Sequence, residues 1–259
     1  MLLGTCVLPP LAAQSPAKVP AYDVSSVKPH DPTDQSMSWR SDTDGFRASN
    51  VDLRNAISSA WDLRPDQVVG EPSWVEETRW DIVGKSTELT SDELKKITPE
   101  QQNHMMQQLL VERFHLKAHL ETRTGPVFHL VPAKSGVKLT PIAMTAEEIA
   151  NGKVSGTRLS VRGGQAVEMV GKNAPLSLLI KNLALNLHRT VLDNTGLPSN
   201  TSYDFSLRWA RDVGLGAATD TDALPLPAAL EDQLGLHVEA ARGPVQKLVV
   251  DHVDRPAAN

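Results

Sequence analysis

Histidines and carboxylates are the residues of this chain whose spacing could carry chemistry. His115, His119 and Glu121 stand at i, i+4 and i+6, so on one extended strand all three share a face. Strand neighbours two apart lie roughly 7 Å from each other, which lets His119 and Glu121 share a metal ion with a third ligand. His129, on the following segment, joins them if it points to the same face. The same row also makes the wet face of an amphipathic strand, which needs no ligand. Near the C terminus, Asp251-His252-Val253-Asp254 sets an imidazole between two carboxylates. A general base there would need a nucleophile and an oxyanion pocket. The sequence has no Gly-x-Ser-x-Gly and no serine at an evident strand-to-helix elbow.

Asp81 and Asp204 each precede an apolar residue at matching places in the two halves of the chain. They can face one another across those halves, or each can pair with an arginine or cap a loop. Of Trp39, Trp61, Trp74, Trp80 and Trp209, any of which can line a ligand groove, Trp61 falls on a helix core by periodicity. Trp74, in Gly70-Glu71-Pro72-Ser73-Trp74, is the best placed as a surface anchor. The candidate ligand-binding residues are therefore Trp74, Asp81, Asp204 and His252, and the candidate metal ligands His115, His119 and Glu121. No catalytic set and no cofactor is specified. Gly163-Gly164 reads as a turn without a phosphate-loop pattern, and Asn200-Thr201-Ser202 as loop composition.

The elements that position these residues follow from period and punctuation. A strand over Tyr22–Pro29 and a hairpin turning at Asp42–Gly45 lead to Asn50, read as the N-cap of a helix. There Leu53, Ala56, Ile57, Ala60 and Trp61 form one apolar stripe. Arg79–Gly84 alternates as a strand. Thr98-Pro99-Glu100-Gln101 predicts a capping box with proline at the first helical position. From Phe114 the period changes to two, and Gly125-Pro126 predicts a turn into a return strand. In the second half, a hairpin at Gly163-Gly164 precedes Asn173, read as capping a helix with Leu176, Leu179, Ile180, Leu183 and Leu187. Tyr203–Leu207 is a strand, and Leu226–Leu234 a short helix ended by Gly235. Leu236–Glu239 then turns at Gly243-Pro244.

Both halves thus run hairpin, helix, strand, helix, hairpin, anchored by Asn50/Asn173, Asp81/Asp204, Leu116/Leu236 and two Gly-Pro-Val triplets at nearly equal intervals. The fold expected is α+β: two pseudo-repeated units, with antiparallel or mixed sheets carrying helices on one face. Residues 1–20 form a leader, 21–136 the first unit, 137–156 a linker with a short helix at Thr145–Ala150, and 157–259 the second unit.

The 259 residues carry 40% apolar and 22% charged side chains, an ordinary globular balance. With a formal charge of −5 and no basic stripe, composition argues against nucleic acid or anionic membrane as partner. The apolar run through Leu11-Ala12-Ala13 reads as the end of an export signal, or as an apolar arm, and is too short to span a bilayer as a helix. The sole cysteine, Cys6, lies within it. Cleavage after Ala13 leaves no cysteine for disulfides, thiolate catalysis or zinc.

Several short motifs follow one another in a recognisable order: Ser26-Val27-Lys28-Pro29, Asn50-Val51-Asp52-Leu53, Gly70–Trp74, Glu112-Arg113-Phe114, Asp193–Leu197, Tyr203-Asp204-Phe205, Gln233–Leu236, Gly243-Pro244-Val245 and Asp251–Pro256. Over Ala21–Pro256 this order resembles the soil-associated DUF3738 family. The resemblance implies an exported bacterial protein with no established activity. It also implies a link to BlaR1-type membrane peptidase systems, since some relatives are fused to such modules. This chain has no His-Glu-x-x-His and no transmembrane run. The expectation is an exported, non-enzymatic binding or sensory module that recognises a protein, peptide or envelope ligand between its halves. The alternative is an extracytoplasmic hydrolase using His252 or the His115/His119 face.

Overall fold

The computed structural model describes residues 20–42, 44–142, 158–162, 166–199, 201–211 and 222–256. The elements run β1 (Val24–Pro29), β2 (Ser38–Asp42), β3 (Gly45–Asp52), α1 (Leu53–Ala60), a 3-10 turn (Pro65–Gln67), β4 (Val68–Val69), α2 (Trp74–Glu77), β5 (Arg79–Lys85), α3 (Ser91–Leu94), α4 (Pro99–Phe114) and β6 (Lys117–Pro132). They continue with β7 (Thr140–Ile142), β8 (Arg158–Arg162), β9 (Ala166–Pro175), α5 (Leu176–Asn186), β10 (Thr190–Asp193), β11 (Ser202–Ala210), α6 (Leu226–Leu234) and β12 (Leu236–His252). The class is α+β, with six α-helices and three mostly antiparallel sheets among the described residues. No helix among them is long and apolar enough to cross a membrane. The chain divides into two compact units, Met1–Glu121 with Lys247–Asn259, and Thr122–Gln246.

The first unit holds the antiparallel sheet β1-β5-β3-β2. Its inner face supplies Val27, Phe46, Ala48 and Ile82 to a core completed by Ile57 of α1 and Leu110 and Phe114 of α4. Helix α1 starts on Asp52, whose carboxylate accepts from the Asn55 N–H at 2.8 Å and from Arg79 Nη1 at 2.6 Å. The expected cap at Asn50 is therefore corrected. Asn50 lies within β3 at φ +58, in a register shift between Ala48 and Val51. Asparagine suits both a cap and a left-handed bulge position, and the sheet takes it for the bulge.

Helix α4 carries the expected capping box. Gln101 N–H donates to Thr98 Oγ1 at 3.3 Å and Thr98 N–H to Gln101 Oε1 at 2.9 Å, with Pro99 at the first position. The helix runs on through Phe114, where the sequence starts a strand. Phe114 falls four residues after Leu110 on the buried face and meets Trp80 edge-on at 5.5 Å. His115 closes the helix in the left-handed conformation at φ +49. In this unit Lys117–Glu121 of β6 and Lys247–His252 of β12 lie side by side, and β4 pairs parallel to β12 at Val68↔Leu248.

The second unit holds the sheet β7-β11-β9-β8, also antiparallel. Its core gathers Met169, Leu179, Leu183, Leu207, Leu230 and Leu236. Helix α5 begins after Pro175. Asn173, expected as its cap, sits inside β9 at φ +48, so the correction made for Asn50 applies here too. Helix α6 spans the residues read from the sequence and ends on Gly235 at φ +62, where a Cβ would overlap the Gly136 carbonyl. Parallel pairing joins β10 to β6 from Thr190↔Val127 to Asp193↔Leu130.

The two Gly-Pro turns are also corrected. β6 and β12 run unbroken through Gly125-Pro126 and Gly243-Pro244, and neither glycine adopts a positive φ. What each glycine supplies is room. A Cβ on Gly125 would lie 3.1 Å from Val245, and one on Gly243 would lie 3.0 Å from Leu192. The Gly163-Gly164 turn, the Thr145–Ala150 helix, the leader with Cys6 and Asn200 fall outside the described residues.

Candidate functional site

Asp81 is the centre of a bracing cluster in the first unit. Its Oδ1 accepts from Ser49 Oγ at 2.6 Å, from the Asn50 N–H at 3.1 Å and from His30 Nδ1 at 2.7 Å. His30 Nε2 faces the Asp34 carbonyl at 2.7 Å, and the His30 side chain is only 4% exposed. With an acceptor at each ring nitrogen, the imidazolium satisfies both. The Asp34 carbonyl first, then the Asp81 carboxylate, hold His30 above its ordinary pKa of 6.5. Burial pushes Asp81 up, but the bonds from Ser49, His30 and Asn50 outweigh it and leave the carboxyl below its usual range. Ser49, Asp81 and His30 do not form a nucleophile relay: the hydroxyl donates to the carboxylate, and no imidazole nitrogen is open to take its proton.

In the second unit Asp204 accepts from the Asn173 N–H at 2.8 Å and from Lys172 Nζ at 2.9 Å. That backbone N–H first, then the ammonium, hold its carboxyl low. Asp81 and Asp204 thus each fasten the bulge ahead of a helix. Trp74 opens α2, packs partly buried on the first core, and lies under the Arg255 guanidinium at 5.1 Å.

His115, His119 and Glu121 do not make one row on one strand, because His115 belongs to the left-handed end of α4. His119 stands between two carboxylates, with Nδ1 2.8 Å from Asp251 and Nε2 3.2 Å from Glu121. Asp251 first, then Glu121, raise its pKa. Asp254 Oδ2 lies 3.3 Å from His115 Nδ1 and 3.1 Å from His252 Nε2. His129 belongs to the second unit, opposite Leu192. No group of three or more histidines, cysteines or carboxylates among the described residues has metal-holding geometry. This face is a set of solvent-facing histidine–carboxylate contacts, each worth little.

The concave feature of the first unit lies elsewhere. A cavity of about 420 Å³ opens between β2–β3 and the α3–α4 segment, with Trp39, Phe46, Met105, Met106 and Tyr22 on its walls and Asp42, Lys95, Gln102 and Asn103 as polar groups. Trp39 stacks on Phe46 at 5.9 Å, and Tyr22 meets Phe46 at 5.0 Å. Burial pushes the Tyr22 phenol up to about 12, so it stays a hydrogen-bond donor at neutral pH. Ala48, on the same sheet face, is fully buried and Phe46 nearly so, while Trp39 is 44% exposed. The edge strand therefore carries a core-type side chain that the helices leave half uncovered. A second concavity, of about 520 Å³, is bounded by Tyr22, Trp61 and the α4 residues His104, Gln107 and Val111.

Sequence reasoning named Trp39 among five tryptophans but did not join it to Met105 and Met106 of α4. It did not single out His30. Proline just before the histidine ends the strand, and only the folded backbone carries the ring to Asp81.

Five imidazoles of this α+β chain, those of His30, His115, His119, His237 and His252, stand against carboxylates or carbonyls, and the first-unit cavity beside Trp39 is lined by aromatic and apolar side chains with a few polar groups. A family model described as "Protein of unknown function (DUF3738)" matches residues 54–253, and the chain belongs to that family. No curated protein and no solved structure matches the chain.

Proposed function

We propose that this chain is an exported, non-catalytic binding module whose ligand site is the aromatic cavity of the first unit. One observation carries the reading: Trp39, stacked on Phe46 and half exposed, lines a preformed cavity with a few polar groups at its walls, the usual make-up of a ligand pocket. Export rests on the apolar run ending Leu11-Ala12-Ala13. The hydrolase alternative draws less support, since His119 stands between two carboxylates and His115 and His252 both face Asp254.

We further propose that the two units are copies of one plan. The strand orders β1-β5-β3-β2 and β7-β11-β9-β8 correspond element for element. In each, an asparagine at positive φ lies three residues before the first residue of a helix and gives its N–H to an aspartate on the next long strand. In each, the following helix ends in a left-handed residue, His115 or Gly235, and a buried leucine enters a long strand.

The test is thermal stabilisation against panels of peptides, glycans and divalent cations, comparing the wild type with Asn103→Trp, a bulky plug designed at a residue of the cavity lining. A ligand that raises Tm in the wild type and not in the plugged variant supports the site. Ligands that stabilise both proteins equally would place binding elsewhere.

A further inference from the structure

The cavity borders a strand whose outer edge is open among the described residues. Among the described residues β2 is the last strand of its sheet, with β3 as its single hydrogen-bonded neighbour. In an antiparallel ladder alternate residues turn their N–H and C=O away from the partner, so every second residue of β2 offers them outward. Trp39 points to the inner face, and Met37, just ahead of β2, is 72% exposed. On the opposite face Arg40 sits directly across from Arg47. Like charges in such a pair destabilise a sheet unless a counter-charge is supplied. Arg47 has Asp42 at a loose 3.8 Å, and Arg40 has no ion pair among the described residues.

Resting on the cavity reading above, we infer that the free edge of β2 takes an extended peptide in which acidic and apolar residues alternate. One apolar side chain enters the cavity beside Trp39, and the next, acidic, side chain meets Arg40. The strand period of two makes both contacts at once, because successive side chains of an added strand fall on opposite faces. Main-chain bonds to β2 supply affinity that does not depend on sequence, while Trp39 and Arg40 supply the selection.

The full chain is titrated with fluorescein-labelled eight-residue peptides, followed by anisotropy: alternating Glu/Val, alternating Lys/Val, and Glu/Val with alternate amides N-methylated in each of the two phases. The inference predicts saturable binding of the Glu/Val peptide. Affinity should fall at least about tenfold for the Lys/Val peptide, for one N-methylated phase, and for the Glu/Val peptide on Arg40→Glu. Arg40→Glu, which turns the like-charge pair with Arg47 into an opposite-charge one at an exposed position, should not lower Tm, so a lost affinity is not lost folding. Glu/Val binding that ignores both N-methylation phases or the charge at residue 40 would overturn it. The dye ANS, run in parallel on the wild type and Asn103→Trp, separates the two levels. If no peptide binds but the plug excludes ANS, the peptide inference fails and the cavity reading stands. If no peptide binds and ANS ignores the plug, both fail.

Discussion

Asp81 Oδ1 accepts the backbone N–H of Asn50, a residue held at φ +58, and so fixes the bulge from which α1 departs. The Asp204–Asn173 contact has the same form at φ +48. Left-handed backbone at a non-glycine residue carries a cost of about 1 to 3 kcal/mol and persists only when neighbours hold it. In both units a carboxylate does the holding.

Removing that carboxylate should destabilise the first unit more than the second, because Asp81 also receives Ser49 and His30 whereas Asp204, among the described residues, receives only Lys172 besides its asparagine. Asp81→Ala is expected to cost about 1 to 2 kcal/mol, the lower part of the range for hydrogen bonds to a charged group, given its 40% exposure. Urea denaturation of Asp81→Ala and Asp204→Ala checks the order. An equal or reversed loss would contradict it.

His30 makes stability depend on pH with a definite sign. Its folded pKa lies above its ordinary 6.5, so its contribution is complete below that value and is lost as pH rises through the folded pKa. Asp81 acts the other way: its folded pKa is depressed, and its contribution is lost as pH falls through that value. Tm should decline as pH rises above 6.5 through the folded pKa in the wild type and decline less in His30→Gln. Parallel pH profiles would rule His30 out as the cause. His119 adds the same sign from a more exposed position.

How much was legible in the sequence depended on where each signal lives. The capping box of α4 and Gly235 after α6 are local, set by residues a few positions apart, and both stand as read. Asn50 and Asn173 were read as caps because asparagine favours caps and left-handed bulges for the same reason, a short side chain beside the backbone. Gly125-Pro126 and Gly243-Pro244 look like turns locally. Val245 and Leu192, distant in sequence, decide that those glycines make room inside strands. The cavity was the least legible feature, since only the tertiary fold sets Trp39 in one cavity wall with Met105 and Met106.

Close approach gives a further prediction in the second unit. A Cβ at Gly171 would overlap the ring of Phe205, which is 8% exposed. Gly171→Ala should cost about 1 to 3 kcal/mol by overpacking, and Phe205→Leu in the same chain should recover part of it. Additive losses in the double variant would show that the ring is not the obstacle.

Gly84 links packing to the proposed site. A Cβ there would lie 2.5 Å from Phe46 Cε1 and 2.9 Å from Tyr22 Cγ, two rings of the cavity wall. Gly84→Ala should weaken cavity binding of ANS, while Gly171→Ala should not. Fluorescence titration of the two variants compares them directly, and equal affinities would break the link.

The most direct measurement is the Trp39 indole N–H resonance followed through a Glu/Val peptide titration, with the 4%-exposed Trp209 of the second unit as internal reference. The account predicts a saturable shift at Trp39, none at Trp209, and loss of the shift in Asn103→Trp. A peptide that binds while the Trp39 resonance stays fixed, or a shift that survives the plug, would contradict it.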